Sequence, residues 1–116
     1  MNEEQFKART RQLALEIISL VESLPRSRTA DVIGRQLLRS GTSIGANYRA
    51  ACREKSKADV ISKLAIVEEE ADETIYWLDL LIESKIAEPS RVDSLMKETN
   101  EIVAMVVASI RTLRGR

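Results

Sequence analysis

From Val60 to Leu81 the inward-capable side chains return at alternating steps of four and three: Val60, Leu64, Val67, Ala71, Thr74 or Ile75, Leu78 and Leu81. Only an α-helix gathers such a series on one face, because a strand turns its side chains over at every second residue. A helix with a continuous apolar seam is marginal alone in water and must bury that seam against others. The rest of the chain supplies the partners. Residues 3–24 carry Phe6, Leu13, Ile17, Leu20, Val21 and Leu24 on one face, and Pro25 stops the segment by forcing its predecessor out of helical geometry. A second segment over 29–55, capped by Ser27 or Thr29, carries Ile33, Leu37, Gly41, Ile44, Tyr48 and Ala51 or Cys52. The third spans 57–84 behind Ser56. After the turn Glu88-Pro89-Ser90, the fourth spans 90–113 and points Val92, Leu95, Met96, Ile102, Val103, Val106, Ile110 and Leu113 inward.

Four helices joined by short connections must pack antiparallel to their sequence neighbours. The expected fold is therefore all-α, one antiparallel up-down-up-down four-helix bundle spanning residues 1–116. Two prolines and four glycines are too few to interrupt it, and aromatic residues at 3% argue against a sheet. No run approaches the roughly 20 apolar residues that cross a bilayer, the nearest being Ile102 to Ile110. Met1 to Arg11 is charged where a secretory leader needs an apolar core, and Cys52 has no second cysteine to pair with, so a cytoplasmic protein is expected.

The absence of histidine narrows the chemistry. Without it there is no imidazole base, no Cys-His or Ser-His nucleophile pair and no His-containing zinc site. Glu69, Asp72 and Glu73 project to nearly one side, but a carboxylate-bridged metal pair wants Glu-x-x-His on two helices. Gly41 and Gly45 are not followed by the Gly-Lys-Ser/Thr of a phosphate-binding loop. No enzyme activity, no metal and no cofactor are expected. Cys52, on or beside an apolar stripe, reads as a structural cysteine.

What remains is surface. Gly41 and Gly45 lie four apart within a helix, each costing roughly 1 kcal/mol against alanine. Either they admit a neighbouring helix backbone, or they mark a kink or a backbone surface offered to a ligand. Net charge is zero but unevenly spread. Residues 1–57 hold eleven Lys or Arg against six Asp or Glu, whereas residues 58–83 hold one against eight. Arg35, Arg39, Arg49 and Arg53 form two four-residue pairs on the second helix, and an acid strip of Glu68, Glu69, Glu70, Asp72, Glu73, Asp79 and Glu83 lies on the third. These charges either neutralise each other between helices or offer an arginine row to phosphates and an acid face to a basic partner. Arg111, Arg114 and Arg116 add a basic end. Ile66, Tyr76, Trp77, Met105 and Val107 exceed what one core requires and suggest subunit contact.

The runs Arg39-Ser40-Gly41-Thr42-Ser43-Ile44-Gly45-Ala46-Asn47-Tyr48, Ser56-Lys57-Ala58-Asp59, Lys63-Leu64-Ala65-Ile66 and Glu70-Ala71-Asp72-Glu73-Thr74-Ile75-Tyr76-Trp77-Leu78 closely resemble the bacterial four-helix bundle proteins of the 23S rRNA intervening-sequence type. The resemblance implies an up-down bundle. By analogy with related accessory proteins of diversity-generating retroelements, it also implies a ring-like homopentamer associated with nucleic acid. Some genes of the family lie inside insertions in ribosomal RNA genes, which implies a connection with RNA. Two functions are therefore expected to compete. One is a nucleic-acid-associated module in which Arg35, Arg39, Arg49 and Arg53 contact RNA or DNA. The other is a protein-interaction scaffold without nucleic acid, whose helical faces build an oligomer and whose acid strip or exposed ring surface holds a protein partner; Gly41, Gly45, Tyr76 and Trp77 are the candidate subunit or helix-packing contacts.

Overall fold

In a computed structural model, residues 2–115 are described, and they form four α-helices with no strand among them. These are α1 (Glu3–Glu22), α2 (Arg28–Arg53), α3 (Lys57–Glu83) and α4 (Pro89–Arg114). Each helix touches its sequence neighbour, α1 also touches α4, and neither diagonal pair meets. That closed four-membered circuit is the up-down-up-down bundle expected from the connections. The descending order of contacts across α1 and α2, Gly45 against Thr10, Gly41 against Ile17 and Gly34 against Val21, fixes those two helices as antiparallel. The rod measures 47 × 20 × 19 Å.

Local chemistry sets the helix ends. Asn2 accepts from the Gln5 amide at 2.8 Å while the Gln5 side chain accepts from the Asn2 amide at 3.1 Å, a reciprocal capping box. Ser27 and Ser56 cap α2 and α3 through the Ala30 and Asp59 amides, each at 3.1 Å. Pro89 occupies the first turn of α4, where its missing N–H costs nothing. α1 stops two residues short of the expected position, because the Ser23 hydroxyl donates to the Leu20 carbonyl at 2.6 Å and closes the last turn before Pro25. α2 likewise stops at Arg53, since Glu54 is already extended on the way to the Ser56 cap. After α3, Lys85 adopts a left-handed φ of 64°, which lets the amides of Ile86 and Ala87 both return to the Leu81 carbonyl at 3.1 Å.

The core follows the sequence seams closely. Leu13, Ile17, Leu37, Ile44, Val67, Ala71, Leu78, Leu81, Val92 and Ile102 are fully buried. Val21, Leu24, Tyr48, Val60, Met96, Val103 and Leu113, at the seam margins, are half-buried. The spacing does not single out three further buried hydroxyl residues, Thr10, Ser40 and Thr99. They are tolerated because a helix supplies acceptors to its own threonines. Thr99 donates to the Leu95 carbonyl at 2.7 Å and Thr10 to the Lys7 carbonyl at 3.1 Å. Thr74 reaches both the Glu70 carbonyl at 2.8 Å and, across the helix pair, Ser40 Oγ at 2.9 Å. Among the described residues no buried side-chain polar atom lacks a partner.

The sparsest seam, between α1 and α4, is held by charge. Arg9 grips Glu98 with two parallel bonds of 2.6 and 2.7 Å and reaches Glu101 at 3.2 Å. Its guanidinium is held above its usual range, chiefly by the hydrogen bond to Glu98. Arg9 and Glu98 are 24% and 26% exposed, so water screens the pair only partly. Arg9→Ala is expected to cost about 1 kcal/mol in urea unfolding, and an unchanged midpoint would show that apolar packing alone closes the bundle.

Candidate nucleic-acid interface

With Ile33, Leu37, Gly41 and Ile44 turned inward, α2 presents Arg28, Arg35, Arg39, Thr42, Ala46, Arg49 and Arg53 on the opposite face. All seven are exposed, and their steps of seven, four, three, four, three and four keep them on one line. The line extends ~38 Å from Arg28 to Arg53 at about 1.5 Å per residue. Arg28 belongs to this ridge although the sequence analysis did not single it out. Its signal was its place seven residues before Arg35.

The five arginines differ in their partners. Arg39 is spanned by two carboxylates of α3: one terminal nitrogen lies 3.1 Å from Glu70 Oε2 and the other bonds Glu73 Oε1. The same Glu73 oxygen accepts the Trp77 indole N–H at 3.2 Å. The hydrogen bond from Arg39 leads in holding the Glu73 carboxyl below its usual range. Arg28, Arg35, Arg49 and Arg53 form no ion pair with any described residue. Charge neutralisation between α2 and α3 is thus confined to one arginine and two glutamates, and Glu69, Asp72, Asp79 and Glu83 stay exposed on α3. The expected row of four therefore divides, with Arg35, Arg49 and Arg53 unpaired in solvent and Arg39, still exposed, paired with Glu70 and Glu73 of α3.

Beside the ridge, a groove of about 430 Å³ runs between α1 and α2. Small residues, Ala8, Thr10, Ala14, Thr42, Gly45 and Ala46, form much of its lining, and the charged Glu4, Lys7, Arg11 and Arg49 complete it. Like Arg49, Arg11 is exposed and forms no ion pair among the described residues. The two glycines face α1. A Cβ on Gly41 would lie 2.5 Å from Ile17 Cδ1, and one on Gly45 would lie 3.2 Å from Thr10 Oγ1. At one end of the bundle, the last turns of α2 and α4 and the start of α3 gather Arg53, Lys55, Lys57, Arg111 and Arg114. Arg116 lies outside the described residues.

The other singled-out side chains sit elsewhere. Tyr76, 57% exposed, stands on the outer face of α3 among Asp72 and Asp79, with Trp77 edge-on to it at 5.2 Å between ring centroids. Ile66, Trp77, Met105 and Val107 are half-buried rather than exposed. The large apolar side chains most open to water are instead Leu15, Ile18, Val32 and Tyr76. Cys52 is half-buried and burial pushes its thiol above the usual range, which lowers the share of reactive thiolate. No group of three or more Cys, Asp or Glu among the described residues is placed to hold a metal ion, and no helix is long and apolar enough to cross a membrane.

A family model described as 23S rRNA-intervening sequence protein matches residues 3–108. The crystal structure of a protein of unknown function from the S23 ribosomal protein family of Bacteroides thetaiotaomicron is 37% identical in sequence. It superposes with a TM-score of 0.88 over 96% of this chain and 99% of that one. Among curated proteins none matches.

Proposed function

Because the chain belongs to the 23S rRNA-intervening sequence protein family, we propose that it is a non-enzymatic, self-associating module that binds nucleic acid, RNA foremost, along the outer face of α2. The observation that carries this reading is the row of exposed guanidinium groups of Arg28, Arg35, Arg49 and Arg53, which no carboxylate among the described residues neutralises. A guanidinium fork matches phosphate oxygens two at a time, and each phosphate met releases condensed counterions. The ridge interleaves arginines with Thr42 and Ala46, not aromatic residues, so it suits backbone contact and shape rather than stacked bases. A single copy offers few contacts, and self-association multiplies them.

Fluorescence anisotropy of a labelled structured RNA at low salt tests this. The natural chain is expected to bind at micromolar concentration. Replacing Arg35, Arg49 and Arg53 together by alanine is expected to weaken binding about tenfold or more. Arg39→Ala is expected to change it less than about twofold, because that charge is already met by Glu70 and Glu73. Equal losses in both variants would contradict the division of the ridge.

A second reading has its own observation. The outer face of α3 exposes Glu69, Asp72, Asp79 and Glu83 around Tyr76, a surface that fits a basic protein segment better than a nucleic acid. Absence of RNA binding, together with capture of a basic peptide that Tyr76→Ala abolishes, would favour that scaffold.

A further inference from the structure

The α2 ridge and the groove between α1 and α2 share three residues, Thr42, Ala46 and Arg49. A nucleic-acid backbone lying along the ridge therefore passes over the mouth of a cavity of about 430 Å³. That volume falls within the roughly 300 to 1,000 Å³ of clefts that take small molecules. The ridge has no aromatic plane for a base, so the contents of the groove decide whether the protein meets phosphates alone.

Inside, the groove is small-walled and largely apolar, with Ala8 and Ala14 on the α1 side and Gly45 and Ala46 on the α2 side. The Thr42 hydroxyl donates to the Leu38 carbonyl at 2.6 Å, so toward a ligand its oxygen can only accept. Donors come from Arg11 on one wall and Arg49 on the other, both exposed and in no ion pair among the described residues. Lys7 is already engaged, 3.2 Å from Glu3 and 3.5 Å from Glu4. A flat, uncharged ring bearing donors and acceptors suits the apolar interior, and phosphates suit the two free guanidinium groups. A nucleotide joins both parts in one unit.

We propose, resting on the nucleic-acid reading of the ridge, that the groove receives one unpaired nucleotide of a ridge-bound RNA, its base among the alanines and its neighbouring phosphates on Arg49 and Arg11. A paired base must first leave its partner and its stack, a cost that a bulged nucleotide largely escapes. The RNA selected is therefore a duplex with an unpaired nucleotide, and not an uninterrupted one. The spacing of free charge on α2 agrees. Arg35 and Arg49 stand ~21 Å apart at about 1.5 Å per residue, and Arg39 between them is met by Glu70 and Glu73. The backbone is gripped on either side of a neutral stretch, Thr42 and Ala46, and that stretch is the mouth of the groove.

Anisotropy with two labelled RNA duplexes of one sequence tests it, one fully paired and one carrying a single unpaired nucleotide at its middle. The natural chain is expected to bind the second about fivefold or more tightly. Ala14→Leu fills the groove without altering a charge and is expected to bind both duplexes alike, at the natural chain's affinity for the paired one. Ala8→Leu, at an exposed position of the same wall, takes its place if circular dichroism shows that Ala14→Leu has lost its helices. With 2-aminopurine at the unpaired position, emission is expected to rise on binding, because the base leaves its stack for walls without an aromatic ring. Equal binding of both duplexes by the natural chain, or unchanged emission, would overturn the nucleotide slot and leave the ridge reading intact. Selectivity that survives the filling variant would overturn its placement in this groove. No binding of either duplex at low salt would remove the ridge reading, and the slot with it.

Discussion

Gly41→Leu is expected to lower stability by about 3 kcal/mol, which at about 4 °C per kcal/mol moves the thermal midpoint down by roughly 12 °C. The cause is room. Gly41 is buried where α2 crosses α1, and even a lone Cβ there would come within 2.5 Å of Ile17 Cδ1 and 3.2 Å of Ile17 Cγ2. Ile17 is itself fully buried, so it cannot swing into solvent to make space for an isobutyl group. Better helix propensity than glycine returns only about 1 kcal/mol. Gly34 provides the comparison on the same helix face. Its Cβ would meet Val21 Cγ1 at 3.2 Å, but Val21 is half-buried and can yield. Gly34→Ala is therefore expected within about 0.5 kcal/mol of the natural chain, the propensity gain offsetting a slight shift. An unchanged melting curve for Gly41→Leu would show that α1 does not rest on α2 at this point.

Leu78→Ala is expected to cost about 3 to 4 kcal/mol in urea, with little change in slope. Leu78 is fully buried on α3, one turn from the buried Thr74 and Leu81, and its removal leaves a void that neighbouring helices cannot close without moving. A loss of that size is a large part of the 5 to 15 kcal/mol that holds an ordinary domain together. Tyr76→Ala, two residues away but 57% exposed, is expected to change stability by less than about 0.5 kcal/mol. Similar midpoints for the two variants would mean that the inward face of α3 is misassigned.

These two predictions draw on the part of the molecule that was legible from residue spacing. Steps of four and three separate an inner from an outer face without any knowledge of tertiary structure, so Leu37, Leu64, Leu78 and Ile102 were identifiable as core. Thr10, Ser40 and Thr99 were not. Their hydroxyls look polar in a sequence, and only the helix geometry reveals that Thr10 and Thr99 bond carbonyls of their own turns while Ser40 accepts from Thr74. Arg9 illustrates a second limit. Its partner Glu98 lies on α4, and no local pattern links the two across the chain.

The α2 ridge combines both situations. That Arg35, Arg39, Arg49 and Arg53 belong to one side of the bundle was readable from their intervals. That Arg39 alone is met by carboxylates depends on the register of α3 against α2, which brings Glu70 and Glu73 opposite it and leaves the others to solvent. The apolar residues in excess of one core on α3 and α4, Ile66, Met105 and Val107, are half-buried, and the exposed ones include Leu15 and Ile18 on α1. Neither belongs to the apolar series of the first helix, which runs through Phe6, Leu13, Ile17 and Leu20. Only the placement of α2 and α4 against α1 shows that neither covers them.

The most direct test of the nucleic-acid reading is the salt dependence of RNA binding, measured by anisotropy from low to physiological ionic strength. The account predicts a straight decline of log affinity against log salt, with a slope that becomes shallower by about 2 when Arg35, Arg49 and Arg53 are replaced together. No binding at the lowest salt, or binding whose slope is indifferent to those three residues, would contradict it.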